Sequence, residues 1–413
     1  MKAEIITIGD ELLIGQTVDT NSAWMGAELS RIGFDIYRIT SVSDKREEII
    51  RVLSEVTGRS DVVLITGGLG PTSDDITKQT LCEFFGTRLV PDNKVLEMIE
   101  QMVRKRNFTM NENNRRQADI PENCRVLYNA TGTAPGMWFE KNNTIFISMP
   151  GVPLEMKYIM EAHVLPELQT RFTSQFILHK NIMTYGMPEA RLAEVLSGFE
   201  SELPESIKLA YLPSFGIIKL RLTGKGKARG EVTESVAEQV RKLCSLIPDI
   251  IYGEDEESME MKAGSLLRER KATVSTAESC TGGAIARMIT SVPGSSDYFA
   301  GSVVAYDNLV KTGILKVPAE IIASNGAVSR ETVEAMARGA ADLFGTTYTI
   351  ATSGIAGPTG GSEDKPVGTI WIAISGPSGI VSEKFVFGND RNLNITRSSI
   401  AALNLLRKQI LIK

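Results

Sequence analysis

The chain has 413 residues, with 45 Lys plus Arg against 50 Asp plus Glu and a formal net charge of -5. At roughly 150 residues per domain that length calls for more than one core, and 42% hydrophobic with 23% charged residues excludes a disordered or fibrous chain. The acidic balance gives no reason to expect a partner held by phosphate neutralisation, so nucleic acid is not an expected partner.

No segment approaches about 18 consecutive apolar residues, and the start MKAEIITIGDELLIG lacks the charged and apolar regions of a signal peptide. A cytoplasmic protein with no membrane association is expected. Cys82, Cys124, Cys244 and Cys280 are scattered without metal spacing and are read as reduced thiols. The only histidines are His163 and His179, so any chemistry beyond residue 179 proceeds without imidazole.

From the N-terminus, predicted strands and helices alternate: strand KAEIITIG, helix AWMGAELSRIG, strand FDIYRITSV, helix KREEIIRVLSEV and strand DVVLITGG. Strand NNTIFISMPG and helix PLEMKYIMEAHVLPELQTRF then close an α/β domain over residues 1–170 built from parallel βαβ units. Residues 171–255 read strand, helix, two strands, helix, strand, the split βαβ order of a small α+β module. Its loop GKGKARG carries Lys225, Lys227 and Arg229, either an exposed hairpin connection or a contact for a nucleic-acid backbone of the kind a KH module makes. Residues 256–413 start with an acidic stretch and the helix AGSLLRERK, and continue as a mixed sheet with helices, a second α/β region. The fold class is therefore α/β and multidomain.

In the first domain ITGGLGPTSDDITKQTL ends a strand in Gly67, Gly68, Leu69, Gly70 and Pro71 and offers Thr72, Ser73 and Asp74 as helix caps. Glycines at a strand end let backbone N–H groups approach an anion, and a helix N-terminus adds partial positive charge, so a phosphate fits there. Asp75 beside it makes sense through a divalent cation or a hydroxyl. Gly9, Asp10 and Glu11 follow the first strand and Asp44 the second; ligands of open α/β sheets bind outside such carboxyl ends. Carboxylates beside a phosphate cradle imply metal-assisted phosphate chemistry, with Asp44 and Asp75 as candidate metal ligands; helix capping accounts equally for Asp10 and Glu11.

In the last domain STAESCTGG places Ser279 and Cys280 on a strand-to-helix turn before Thr281, Gly282 and Gly283. Helix N-terminal amides there are candidate oxyanion donors, and helix capping is the alternative reading. A Ser-His-Asp triad is impossible, so a base has to be Lys, Tyr or a carboxylate; VVAYDNLVK supplies Tyr306 and Lys311. The lysine serves only if burial or a nearby cation lowers its pKa from about 10.4. The loop TSGIAGPTGGSEDKPVG offers Ser353 and the amides of Gly354, Ala356 and Gly357 as donors, and Arg391 a bidentate guanidinium. A phosphorylated amide substrate is indicated.

Two resemblances follow from these residues. GGLGPTSDD, with VSDK before it and GTAPG and SMPGVPLEM after it, resembles molybdopterin-binding domains, with Gly67, Gly68, Gly70, Asp44 and Asp75 at matching positions and Leu69 and Pro71 as departures. TAESCTGG, VAYDNLVK, GAVS, SGIAGPTGGSEDKPVGT and NDR resemble the nicotinamide mononucleotide deamidase domain of the CinA family, and the full domain order is similar to that family's. The resemblance implies hydrolysis of nicotinamide mononucleotide to nicotinate mononucleotide and ammonia without a cofactor. Ser279 would be the nucleophile, activated by Tyr306 and Lys311, with Ser353 (often Thr in the family) and residues 354–357 lining the site and Arg391 on the phosphate. For the first domain it implies ADP-ribose hydrolysis with a divalent metal (Mg or Co) and potassium, and for the whole chain a homodimer. Cys280 stays open as a rival nucleophile. A non-catalytic competence protein and a molybdopterin-binding protein are the alternative functions.

Overall fold

The computed structural model describes residues 1–72, 75–105, 108–172 and 176–412, so the expected caps Ser73 and Asp74 lie outside the described residues. The chain divides into two compact units, Met1–His179 with Gly224–Ser235, and Lys180–Thr223 with Val236–Lys413. No helix among the described residues is long and apolar enough to cross a membrane.

The first unit contains β1 (Lys2–Ile8), β2 (Asp35–Val42), β3 (Val62–Thr66), β4 (Leu89–Pro91), β5 (Asp119–Pro121), β6 (Arg125–Leu127), β7 (Gly136–Lys141) and β8 (Thr144–Met149). Six form one sheet in the order β2-β1-β3-β8-β7-β6, parallel through β8 and antiparallel beyond it, while β4 and β5 make a separate ladder. Strands β3 and β8 are buried at every residue, as a parallel sheet covered on both faces requires. Alternate residues serve opposite cores. Ile5, Leu64 and Ile147 pack with Met25 and Leu29 of the helix Thr20–Arg31, whereas Ile6, Ile65 and Phe146 pack with Ile49 and Leu53 of the helix Arg46–Val56. Because β1, β2, β3 and β8 run parallel, the loops bearing Gly9, Asp44, Gly67 and Gly151 leave one sheet edge.

The middle module follows the expected order: β9 (Phe176–Tyr185), a helix, β10 (Ile207–Ser214), β11 (Ile217–Gly226), a helix and β12 (Ile251–Glu254), in a sheet ordered β10-β11-β9-β12. The basic segment is not a free loop. Lys225 lies in β11 and pairs with Asp35 at 2.6 Å, and the Arg229 guanidinium lies over the Phe176 ring at 5.5 Å, so two of its three cations are engaged inside the protein.

The last sheet holds β13 (Val274–Glu278), β14 (Phe299–Val304), β15 (Tyr348–Gly354), β16 (Thr369–Gly376) and β17 (Gly379–Val386) in the order β14-β13-β15-β16-β17, with β14, β13 and β15 parallel. Ala277, Ala351 and Ala373 stand in register across three strands and let the helix Arg330–Phe344 pack close through Ala337 and Ala340. The opposite face is covered by the helices Met259–Arg270 and Arg391–Leu411.

Where β13 ends, Glu278 is fully buried and its carboxylate takes five donors. Oε2 accepts from Thr281 Oγ1 at 2.8 Å and from the amides of Gly283 and Ile285 at 3.0 Å; Oε1 accepts from Ala286 N at 2.8 Å and Thr276 Oγ1 at 3.2 Å. The helix Ala284–Thr290 therefore has its orphan amides and positive end satisfied by one strand-borne charge. Replacing Glu278 with Ala strands these donors and is expected to destabilise the unit by about 3 kcal/mol or more in denaturant unfolding; a loss below about 1 kcal/mol would contradict this role.

Candidate active sites

The C-terminal site sits at the edge where β13, β14 and β15 end. A cavity of about 180 Å³ is lined by Ser279, Cys280, Tyr306, Asn308, Lys311, Ala327, Val328, Ser353, Gly354, Ala356 and Arg391. Residues from five separate motifs thus converge, and among the described residues no carboxylate lines the cavity.

Ser279 is 8% exposed, and its hydroxyl makes no hydrogen bond among the described residues. Cys280 beside it is buried, and desolvation pushes its thiol up to about 12, so it is held as a neutral thiol. Lys311 is 1% exposed on the short helix Asn308–Gly313, and burial lowers its pKa against the opposing pull of Asp307. Its Nζ donates to the carbonyls of Ala305 at 2.8 Å and Tyr306 at 3.1 Å. These two bonds take two N–H groups of the amine.

Tyr306, expected as an activating residue, lines the same cavity as Ser279 and Lys311. Its side chain is largely exposed, and its hydroxyl accepts from Arg391 Nη2 at 3.1 Å, while Arg391 Nη1 holds the Gly357 carbonyl at 2.9 Å. The pair places a guanidinium and a phenol together at the cavity wall. Ser353 is buried and donates to the Ala327 carbonyl at 2.6 Å, which spends its proton. Thr281, Gly282, Gly283 and Gly357 do not line the cavity, and the helix amides expected as oxyanion donors are occupied by Glu278. The amides of Cys280 and Ala356 lie on lining residues and have no backbone acceptor among the described residues. Buried Asn394 fixes the second of these by donating to the carbonyls of Ala356 at 2.9 Å and Gly388 at 2.8 Å. Sequence reasoning passed over Glu278, Asn308 and Asn394; the only signal for the first was an acid directly before the strand-to-helix turn.

The N-terminal site is a cavity of about 440 Å³ lined by Gly9, Glu11, Asp44, Gly67, Gly68, Gly70 and Asp75, together with Thr133, Gly151 and Glu155 from the GTAPG and SMPGVPLEM segments and Asp19 and Asn21 from a segment not singled out in sequence. Asp10 and Thr72 do not line it. At Gly67, with φ of +111°, a Cβ would stand 2.1 Å from the Ile8 carbonyl, so only glycine lets the loop approach β1 so closely. Asp75 clamps the loop: Oδ1 accepts from Gly70 N at 2.8 Å and Oδ2 from Thr72 N at 2.9 Å. Asp44 Oδ2 accepts from Asp10 N at 2.9 Å.

Among the described residues no Lys or Arg lines this cavity, while Glu11, Asp19, Asp44, Asp75 and Glu155 do. A phosphate there would face net repulsion without a cation. Among the described residues no three His, Cys, Asp or Glu side chains group as metal ligands. Asp44 and Asp75 can nonetheless supply one or two carboxylate oxygens, with phosphate and water completing the shell, which is how magnesium is usually held.

Comparison with known proteins agrees with this layout. Residues 4–170 match the probable molybdopterin binding domain, 179–253 the damage-inducible protein CinA KH domain, and 256–410 the CinA C-terminal domain. A CinA-like protein of Cytophaga hutchinsonii is 48% identical over 408 residues, covering 99% of this chain and 98% of that protein. CinA-like proteins of Flavobacterium psychrophilum (47% over 415 residues, 100% and 99% covered) and Salinibacter ruber (40% over 413 residues, 99% and 100% covered) are similar over the same span. With three family domains in order and full-length relatives at this identity, the chain belongs to the CinA family.

Proposed function

We propose that the chain is a hydrolase of pyridine nucleotide recycling whose C-terminal domain deamidates nicotinamide mononucleotide to nicotinate mononucleotide and ammonia. The observation that carries this reading is the carboxylate-free cavity in which an unpartnered serine hydroxyl, a buried amine of lowered pKa and a guanidinium meet. Ser279 Oγ attacks the carboxamide carbon as its proton passes to Lys311. The oxyanion is met by the amides of Cys280 and Ala356, each such donor contributing about 3 kcal/mol by analogy with other acyl-transfer sites. Lys311 returns the proton to the departing ammonia, and water, deprotonated in the same way, hydrolyses the acyl-serine. Arg391 and Tyr306 engage the substrate phosphate.

Ammonia release from nicotinamide mononucleotide is expected to fall by about 10³-fold or more in Ser279→Ala and to persist in Cys280→Ala. The reverse pattern would transfer the nucleophile to Cys280. Lys311 acts as base only when neutral, so kcat/KM is expected to rise with pH through a pKa below that of free lysine, and Lys311→Arg is expected to abolish the limb with the activity. An unchanged profile in Lys311→Arg would remove the lysine from the mechanism.

For the N-terminal domain we propose hydrolysis of ADP-ribose at its pyrophosphate. Asp44 and Asp75 would hold a divalent ion, magnesium or cobalt with potassium, and the bound ion would neutralise phosphate charge and polarise phosphorus. The loop amides from Gly67 to Gly70 would seat one phosphate. A chelator is expected to abolish this activity while leaving ammonia release intact, and Asp44→Asn to lose it without unfolding. Pterin that copurifies with a chain inert toward ADP-ribose would instead assign the domain to molybdopterin binding.

A further inference from the structure

The wall of the N-terminal cavity carries a buried polar side chain to which no role has been given. Gln117 follows the short helix Glu112–Arg116 and lines this cavity together with Leu69, Pro71, Asp75 and Ala134. Its backbone is fixed: the N–H donates to the carbonyls of Asn113 and Asn114, each at 3.3 Å, and the carbonyl accepts from Lys78 Nζ at 3.2 Å. Lys78 sits in the first turn of the helix Thr77–Phe85 and also donates to the carbonyls of Arg116 at 3.3 Å and Asp119 at 3.0 Å. Residues 116–119 are thereby clamped to the helix that follows the glycine loop.

The side chain has no such anchor. Gln117 is 3% exposed, yet its carboxamide makes no hydrogen bond to any described residue. Neither amide atom is wholly sealed, so the little surface that the residue keeps includes both of them, and it is the cavity that Gln117 lines. Leaving a buried amide unpaired is costly, and native structures rarely do so without a ligand or water.

The two halves of the amide restrict what can answer it. Nε2 donates, Oε1 accepts, and the two lie in one plane. A phosphate has only acceptors and leaves Oε1 unpaired; a cation leaves Nε2 unpaired. A flat heterocycle with an exocyclic amine beside a ring nitrogen satisfies both at once, the geometry by which Gln reads the edge of adenine. Leu69 and Pro71, the two departures in the glycine loop, and Ala134 give the same cavity an apolar side for such a ring.

We propose that Gln117 is the base-reading residue of the N-terminal site, pairing its amide with the aminopyrimidine edge of the substrate's adenine. The inference rests on reading this cavity as a nucleotide site. It adds that the site selects its nucleotide by the base as well as by the phosphates.

The test is calorimetric titration of the full chain, with magnesium, by ADP and by inosine diphosphate, in which a carbonyl replaces the exocyclic amine. ADP is expected to bind about tenfold or more tightly. Gln117→Met keeps the length of the side chain; it is expected to erase that preference while Tm stays unchanged or rises, because a buried unpaired amide is removed. No binding of ADP, equal affinity for the two nucleotides, a preference unmoved in Gln117→Met, or a lowered Tm in that variant would each overturn the proposal. A pterin presents a similar edge, so Gln117-dependent binding of 6-hydroxymethylpterin that is tighter than that of ADP would overturn the adenine assignment in favour of pterin. Binding is read without turnover: a chain that prefers ADP through Gln117 but leaves ADP-ribose intact would support this proposal and overturn the hydrolysis reading alone.

Discussion

The C-terminal site depends on one buried charge. Glu278 closes β13 and binds the first amides of the helix that follows, so the intervening turn of Ser279 to Gly283 has little freedom. The carboxylate pays its desolvation cost with five hydrogen bonds and the positive end of the helix. The same arrangement occupies that helix end, while the amides of Cys280 and Ala356 at the cavity have no backbone acceptor among the described residues. Asn394, tying Ala356 to Gly388, is the corresponding constraint on that second side.

The two sites differ in charge on similar sheet edges. Among the described residues, five carboxylates and no basic side chain line the N-terminal cavity, whereas the Arg391 guanidinium, the Lys311 amine and no carboxylate line the C-terminal one. The lining of the first cavity opposes phosphate charge, and Arg391 in the second favours it.

Most of the strands and helices that carry both sites were legible because their signals are local; the short helices Asp10–Leu13 and Asn308–Gly313 were not. Continuous apolar runs such as VVLIT mark strands buried on both faces, and the glycine clusters after β3 and β15 mark turns that close approach requires. Ser279, Lys311, Ser353 and Arg391 were identifiable as residues with chemistry, but not what their atoms touch. Ser353 looked like a donor to substrate and is bonded to Ala327; Tyr306 looked like an activator and is bonded to Arg391. Thr281, Gly282 and Gly283 looked like site lining; Thr281 and Gly283 donate to Glu278 and the Gly282 amide donates to the Ser279 carbonyl. Such assignments depend on side-chain partners more than 20 residues apart in sequence or on a carboxylate folded back over a turn, and neither has a periodicity to betray it. Asp19 and Asn21 were hidden for another reason: in sequence they begin an ordinary amphipathic helix, Thr20–Arg31, and only the sheet edge brings them to the cavity.

The claim on which this account turns is that Ser279, and not its neighbour Cys280, carries the substrate acyl group. Rapid quenching of the full chain during turnover of nicotinamide mononucleotide, followed by mass analysis of the peptide spanning both residues, tests it directly. An acyl adduct on Ser279 that is lost in Ser279→Ala is the expected result. An adduct on Cys280, or steady ammonia release with no adduct under conditions that stabilise acyl esters, would contradict it.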